Sequence, residues 1–204
     1  MITIIDYGVG NLTSIQNMFK KAGFGAIIST DINEIDNAEK ILLPGMGAFD
    51  NCMKRFNESG LREVVEKKVL IDLVPVLGIC VGLQMMMEGS EEGNLRGLGW
   101  VKGNTIRFKK ELMAETQKIP NMGWLDIEIK KESKLMTNLE NARFYFAHSH
   151  HVKPEERQNE LVGAHYGYDF TAGIEWGNIL GVQFHPEKSH RFGLQLLKNF
   201  VEYF

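Results

Sequence analysis

The sequence predicts a single α/β domain: one mixed, mostly parallel sheet with helices on both faces. Three observations lead there. The first half alternates short β-branched runs with helical patterns, a βαβαβ rhythm that calls for parallel strands. The second half turns to short strands with few helical stretches, which extends the same sheet. No repeat, low-complexity tract or Pro/Ser-rich linker divides the 204 residues, and a chain of that length has ample material for one core.

Ile2 to Asp6 reads as a buried strand, and "GVGN" turns the chain. Asn11 is placed to cap a helix whose apolar face is Leu12, Ile15, Phe19 and Ala22, with Gly23 as its stop. Ala26 to Ser29 and Lys40 to Leu43 are the next strands, followed by helices at Phe49 to Phe56 and Leu61 to Lys68. Val76 to Ile79 is the fourth strand, and a helix starts near Cys80. After short strands between Gly93 and Asn141 come Arg143 to His148, Glu160 to Tyr166, "GIEW" and Ile179 to His185, then a last helix from Phe192 to Phe204. Ligands of such a sheet sit at the carboxyl ends of its parallel strands.

The bulk numbers exclude several classes. A net charge of −3 leaves no basic footprint for nucleic acid. No apolar run reaches membrane-spanning length, and Met1 leads straight into the strand-like "ITIID", which reads as no signal peptide. Cys52 and Cys80 make no disulfide framework, so a reducing, cytoplasmic setting is expected. Neither GxxxxGK[ST] nor GxGxxG occurs, and "YGVGN" is a poor flavin phosphate loop. "HSHH" (His148 to His151) has no cysteine or carboxylate paired with it, so no metal and no cofactor are expected.

Strand, Gly78-Ile79-Cys80-Val81-Gly82, helix is a nucleophile elbow with cysteine in the serine position. The sharp turn strains the central residue, and the flanking glycines let neighbouring segments approach. The helix start aims free N–H groups at the sulfur, which favours the thiolate over a thiol of reference pKa about 8.5. It also places the Val81 N–H to stabilise an oxyanion. "FDNCMKRF" surrounds Cys52 with nothing reactive, so that cysteine reads as structural packing. A cysteine nucleophile needs a base. Among six histidines, His185 ends the last strand; strand periodicity would bring it to Glu187, whose carboxylate would fix the imidazole, with Pro186 stiffening the corner.

"GICVGLQ" (Gly78 to Gln84) and "GVQFHPEKS" (Gly181 to Ser189) resemble the two signature segments of class I, triad-type glutamine amidotransferases. "DYGVGNLTS" (Asp6 to Ser14), "LLPGMGAF" (Leu42 to Phe49), "KIPNMGW" (Lys118 to Trp124) and "YFAHSH" (Tyr145 to His150) resemble the glutaminase subunits of imidazole glycerol phosphate synthases. The resemblance runs from residue 2 to the C-terminus, so residues 1–204 are expected to form one amidotransferase domain with a flavodoxin-like sheet. It implies Cys80 as nucleophile, His185 as base and then acid, and Glu187 as orienter. Gln84 would help hold the substrate glutamine. The Met46 amide, next to Gly47 in "PGMG", would join that of Val81 in the oxyanion hole. Ser149 and His150 would line the glutamine pocket chiefly through backbone groups. Asn11, Trp124 and Lys188 match positions that face a (β/α)8-barrel cyclase in a heterodimer. A glycine-rich loop after a strand changes backbone conformation at little cost, which suits a switchable oxyanion loop.

The sequence departs from that subfamily at three positions: Asn121 stands where His is usual, Leu125 where Asn is usual, and His150 where Tyr is usual. These sites bear on the partner, and a paralogous glutaminase supplying ammonia to a surface-polysaccharide sugar is the alternative they raise. A stand-alone thiol hydrolase would share the elbow and histidine, but "HPEKS" and "PGMG" favour the amidotransferase. A non-catalytic binding module would not need the three triad residues. The residues are consumed by one hydrolase domain, with none left to activate an ammonia acceptor. A separate synthase partner fed through an ammonia channel is therefore expected, with hydrolysis weak until that partner binds its own ligand.

Overall fold

The computed structural model describes residues 1–204. In chain order the first half contains β1 (Ile2–Ile5), α1 (Leu12–Lys21), β2 (Ala26–Ser29), α2 (Ile32–Asp36), β3 (Lys40–Leu43), α3 (Phe49–Glu58), α4 (Arg62–Glu66), β4 (Val76–Ile79) and α5 (Val81–Met85). The second half contains β5 (Gly89–Ser90), β6 (Gly103–Arg107), β7 (Asn121–Ile129), β8 (Arg143–His148), β9 (His150–Pro154), β10 (Glu160–Tyr166), β11 (Tyr168–Trp176), β12 (Ile179–Val182) and α6 (His190–Tyr203). One mixed sheet runs in the order β2-β1-β3-β4-β12-β11-β10-β7-β8, and β5, β6 and β9 branch from it beside β11. The first five strands of that order are mutually parallel; from β12 to β8 the pairing is antiparallel.

Physical chemistry separates the two halves. β1, β4 and β12 are buried at every residue, as strands covered on both faces must be. β7 alternates exposed and covered residues along most of its length, as a half-solvated antiparallel strand does. Right-handed crossovers from β1 to β2 and from β2 over β1 to β3 place their helices on opposite faces. The packing agrees: α1 lies against α6, while α2 meets α4 and α3 meets α5. α1 buries Ile15 and Phe19, the centre of its predicted face, with Leu12 and Ala22 at the margin. Asn11 holds the N-cap position, but its side chain makes no capping bond.

Several boundaries differ from expectation: α3 runs on to Glu58, and "GIEW" is only the end of the nine-residue β11. The helix predicted from Leu61 to Lys68 stops being α at Glu66 and widens into a π turn over Lys67–Ile71, where Asp72 N–H reaches the Lys67 carbonyl at 3.0 Å. The last strand ends at Val182 rather than His185. Gln183 still donates to Ala172, but His185 N–H crosses to the Tyr145 carbonyl of β8 at 2.9 Å, so the chain leaves one ladder for another strand. Phe184 anchors this crossing: fully buried, it stacks on Phe144 with centroids 3.9 Å apart. α6 starts at His190, two residues early, with Ser189 in the N-cap position. The Ser189 hydroxyl does not cap. It donates to the His185 carbonyl at 2.6 Å and accepts from Tyr145 N–H at 3.0 Å, tying the crossing to β8.

The first turn of α6 rests on the segment Pro186–Lys188. A Cβ on Gly193 would sit 1.8 Å from the Pro186 carbonyl oxygen, closer than any shift of one side chain could relieve. Gly193→Ala should therefore push α6 off this segment and destabilise the chain by about 1–3 kcal/mol, read as a lower urea midpoint with unchanged slope.

Candidate active site

Cys80 sits between β4 and α5 with φ +54° and ψ −112°, a conformation costly for a residue with a Cβ. Close approach of backbone holds it there. A Cβ on Gly82 would lie 2.0 Å from the Leu43 carbonyl oxygen, and one on Gly45 would lie 2.3 Å from Gly82 N. The loop after β3 is thus pressed directly against the elbow. Val81 opens α5, so its N–H has no carbonyl four residues back in the helix.

Cys80, His185 and Glu187 come together, although not by the route the sequence suggested. His185 Nδ1 lies 2.8 Å from Glu187 Oε1, and both side chains are nearly inaccessible. Strand alternation does not make this contact, since the strand ended at Val182; a 3₁₀ turn over Pro186–Lys188 folds the carboxylate back onto the ring. A carboxylate only accepts, so Nδ1 carries a proton and Nε2 is left for Cys80. Burial alone would depress the His185 pKa. Its hydrogen-bonded contacts with Cys80 and Glu187 outweigh that and raise it to about 10.

Cys80 and His185 open onto a cavity of about 210 Å³, with Glu187 behind the imidazole. Met46, Gly47, Val81, Gln84, Ser149 and His150 line it, and so does Lys188, which was expected on the partner-facing surface. The Gln84 amide nitrogen is spent within the protein, on the His150 carbonyl at 3.1 Å and Gln183 Oε1 at 3.0 Å. Its oxygen remains as the acceptor. The carbonyls of Ser149 and His150 are also bonded internally, to Phe108 N–H and to His148 and Gln84. Any backbone contribution from that pair falls to their N–H groups. Lys188 is exposed, with its ammonium 5.8 Å from the centre of the Tyr145 ring. Trp124 packs edge-on to the same ring and stacks on His190. Asn11 lies outside the cavity at the start of α1, the helix that packs against the Pro186–Lys188 turn. A broader concavity of about 850 Å³ between α2 and α4, lined by Ile32, Asp36, Lys67 and Leu70, brings together no nucleophile and base.

Sequence reasoning missed three contributors. Glu92 lines the cavity, accepts from Phe49 N–H at 2.9 Å and approaches His150 Nδ1 to 3.9 Å. Its loop position bears no fixed spacing to Cys80, so only an acidic pair in "GSEEGN" hinted at it. Tyr7 and Cys52 hold the "PGMG" loop from behind. The Tyr7 hydroxyl donates to the Pro44 carbonyl at 2.5 Å, and Cys52 Sγ donates to the Met46 carbonyl at 3.4 Å. Burial raises the pKa of both groups, so they remain neutral donors. Cys52, expected to be inert packing, therefore also pins a cavity-lining residue.

Adjacent histidines expected to point apart are both buried, on either side of β9. Burial also lowers His150 from its usual value. Burial lowers His148 to about 3 and His151 to about 4, against the bond His148 makes to the His150 carbonyl and the one His151 makes to Val152. Their folded values lie below the unfolded one. Stability is therefore present above about pH 6.5 and lost as pH falls toward 4, at roughly 1.4 kcal/mol per pH unit for each ring. His185 acts oppositely: its contribution is complete below about 6.5 and fades as pH rises toward 10. Urea midpoints should fall between pH 6.5 and 4.5, and His151→Phe should flatten that slope.

Residues 3–203 match the family described as glutamine amidotransferase class-I. The chain is 47% identical over 203 residues to imidazole glycerol phosphate synthase subunit HisH 2 of Methanococcus maripaludis, covering 99% of each. It is 44% identical to the protein of the same name from Pseudomonas aeruginosa, again covering 99% of each. To subunit HisH of Bdellovibrio bacteriovorus it is 47% identical, covering 99% of this chain and all of that one. Among solved structures, a glutamine amidotransferase superposes with a TM-score of 0.74 at 17% identity, covering 99% of this chain and 98% of that one. PurLQS from Thermotoga maritima gives 0.73 at 18%, covering 99% and 97%. At those identities the superpositions speak for the fold.

Proposed function

The chain belongs to the class-I glutamine amidotransferase family, and on that premise we propose that it is the glutaminase subunit of an imidazole glycerol phosphate synthase. It hydrolyses glutamine to glutamate and ammonia and delivers the ammonia to a (β/α)8-barrel cyclase in a cytoplasmic heterodimer. The observation that carries this reading is Cys80 on a strained elbow and His185, held by Glu187, at a cavity sized for one amino acid. Full-length relatives bearing the synthase-subunit name support the choice of pathway.

The geometry supports the following sequence. His185 holds the proton drawn from Cys80, and the thiolate adds to the carboxamide carbon. The developing oxyanion is taken by the Val81 N–H and by the "PGMG" loop at Met46 and Gly47. His185, oriented by Glu187, gives its proton to the departing nitrogen, so ammonia leaves and a γ-glutamyl thioester remains. Water then adds with His185 as base, and glutamate leaves as the Cys80 thiolate is restored. Glu92 complements the α-ammonium of a bound glutamine, and the Gln84 oxygen accepts from an N–H of the same substrate. Met122, Trp124, Asn11 and Lys188 form the face offered to the cyclase; Met122 is 65% exposed and lies on the rim of the cavity.

A glutamine-derived chloroketone should label the unsubstituted chain stoichiometrically at Cys80, as read by mass spectrometry, and leave Cys80→Ala unmodified. Labelling should accelerate when a co-expressed barrel cyclase carries its nucleotide ligand. Cys80→Ala in that complex should still support synthesis from added ammonium. Labelling that ignores the cyclase would move the assignment to sugar amidation; failure to label Cys80 at all would remove the glutaminase.

A further inference from the structure

We propose that Gln183 is a further catalytic residue of this site: its side-chain amide donates to the Cys80 sulfur and stabilises the thiolate. The proposal rests on the glutaminase reading and adds a second side chain, beside His185, at the reacting sulfur. Gln183 is fully buried, and its Nε2 lies 3.7 Å from Cys80 Sγ. A buried primary amide must place both its oxygen and its nitrogen against partners.

One carbonyl fixes which way that amide points. The His150 oxygen can only accept. It therefore faces Gln84 Nε2, at 3.1 Å, and not Gln84 Oε1. Gln84 Nε2 in turn faces Gln183 Oε1 at 3.0 Å, which leaves Gln183 Nε2 toward the sulfur. A second chain from the same oxygen closes consistently: it takes the proton of His148 Nδ1 at 2.8 Å, so His148 Nε2 accepts from Asn121 Nδ2 at 3.0 Å. Reversing Gln84 or Asn121 would set two acceptors together, and reversing Gln183 would set its Nε2 against Gln84 Nε2, two donors. The unusual Asn121 thus has a defined place, as donor to a neutral His148.

A thiolate accepts such a bond far better than a thiol or a thioester sulfur does. The amide consequently favours the charged sulfur twice, before attack and when the thiolate is released from the thioester. Unlike His185, Gln183 neither gains nor loses a proton in the cycle.

The test is the pH dependence of Cys80 modification by iodoacetamide, read by mass spectrometry so that Cys52 is counted apart. Gln183→Met removes the donor to sulfur and introduces no charge beside it. Its curve should move about one unit to higher pH, with modification at pH 7 about tenfold slower. A role confined to bracing Gln84 would leave Gln183→Met on the unsubstituted curve, and that superposition would overturn the proposal. In the unsubstituted chain labelled with ¹⁵N-glutamine, a Gln183 amide proton should shift as Cys80 titrates, whether or not the variant folds; no response also sinks it. A Cys80 that reacts like an ordinary free thiol would remove the glutaminase reading too, whereas a reactive Cys80 indifferent to residue 183 removes this proposal alone.

Discussion

Everything in the site depends on one residue held in a backbone conformation it does not prefer. Cys80 stands at φ +54° because two backbones meet at van der Waals contact behind it, and both contacts exist only where Gly45 and Gly82 lack a Cβ. The same contact brings the "PGMG" loop alongside the first N–H of α5. Strain at the sulfur and adjacency of the oxyanion donors are therefore one packing event. Relaxing the elbow would move the nucleophile and separate the donors together.

The second constraint comes from where the last parallel strand gives out. Had β12 continued to His185, alternation would have set His185 and Glu187 on one side, about two residues apart along an extended chain. The chain instead crosses to β8, anchored by the Phe144–Phe184 stack and by Ser189, and a tight turn makes the imidazole–carboxylate contact. α6 then closes the turn from outside through Gly193. The parallel half of the sheet supplies the nucleophile, and the junction with the antiparallel half supplies the base.

Much of this was legible in sequence because it is local. β-branched runs bounded by Gly and Pro located β2, β3 and β4 to the residue, and a cysteine between glycines at a strand end announced the elbow. The His185–Glu187 pair was also found, but with a mistaken geometry: strand alternation was expected to join them, whereas Pro186 opens a 3₁₀ turn that does. What sequence could not supply are meetings across long separations. Glu92 reaches the cavity through a loop with no periodicity. Tyr7 and Cys52 act through single bonds to carbonyls 37 and six residues away. Gln183 lay within a recognised motif, yet only the fixed sense of the His150 carbonyl reveals which of its atoms faces sulfur.

The two pins on the "PGMG" loop carry a mechanical meaning. Tyr7 fixes the carbonyl of Pro44 and Cys52 that of Met46, while the peptide unit between Gly45 and Met46 forms no hydrogen bond to the rest of the protein. A plane suspended between two fixed points turns like a crankshaft: ψ on one side and φ on the other counter-rotate, and the chain beyond stays still. Such a rotation exchanges an N–H for a C=O at the cavity wall and breaks no bond within the protein. The sign of the local dipole beside Cys80 is thereby left to whatever presses on the loop from outside.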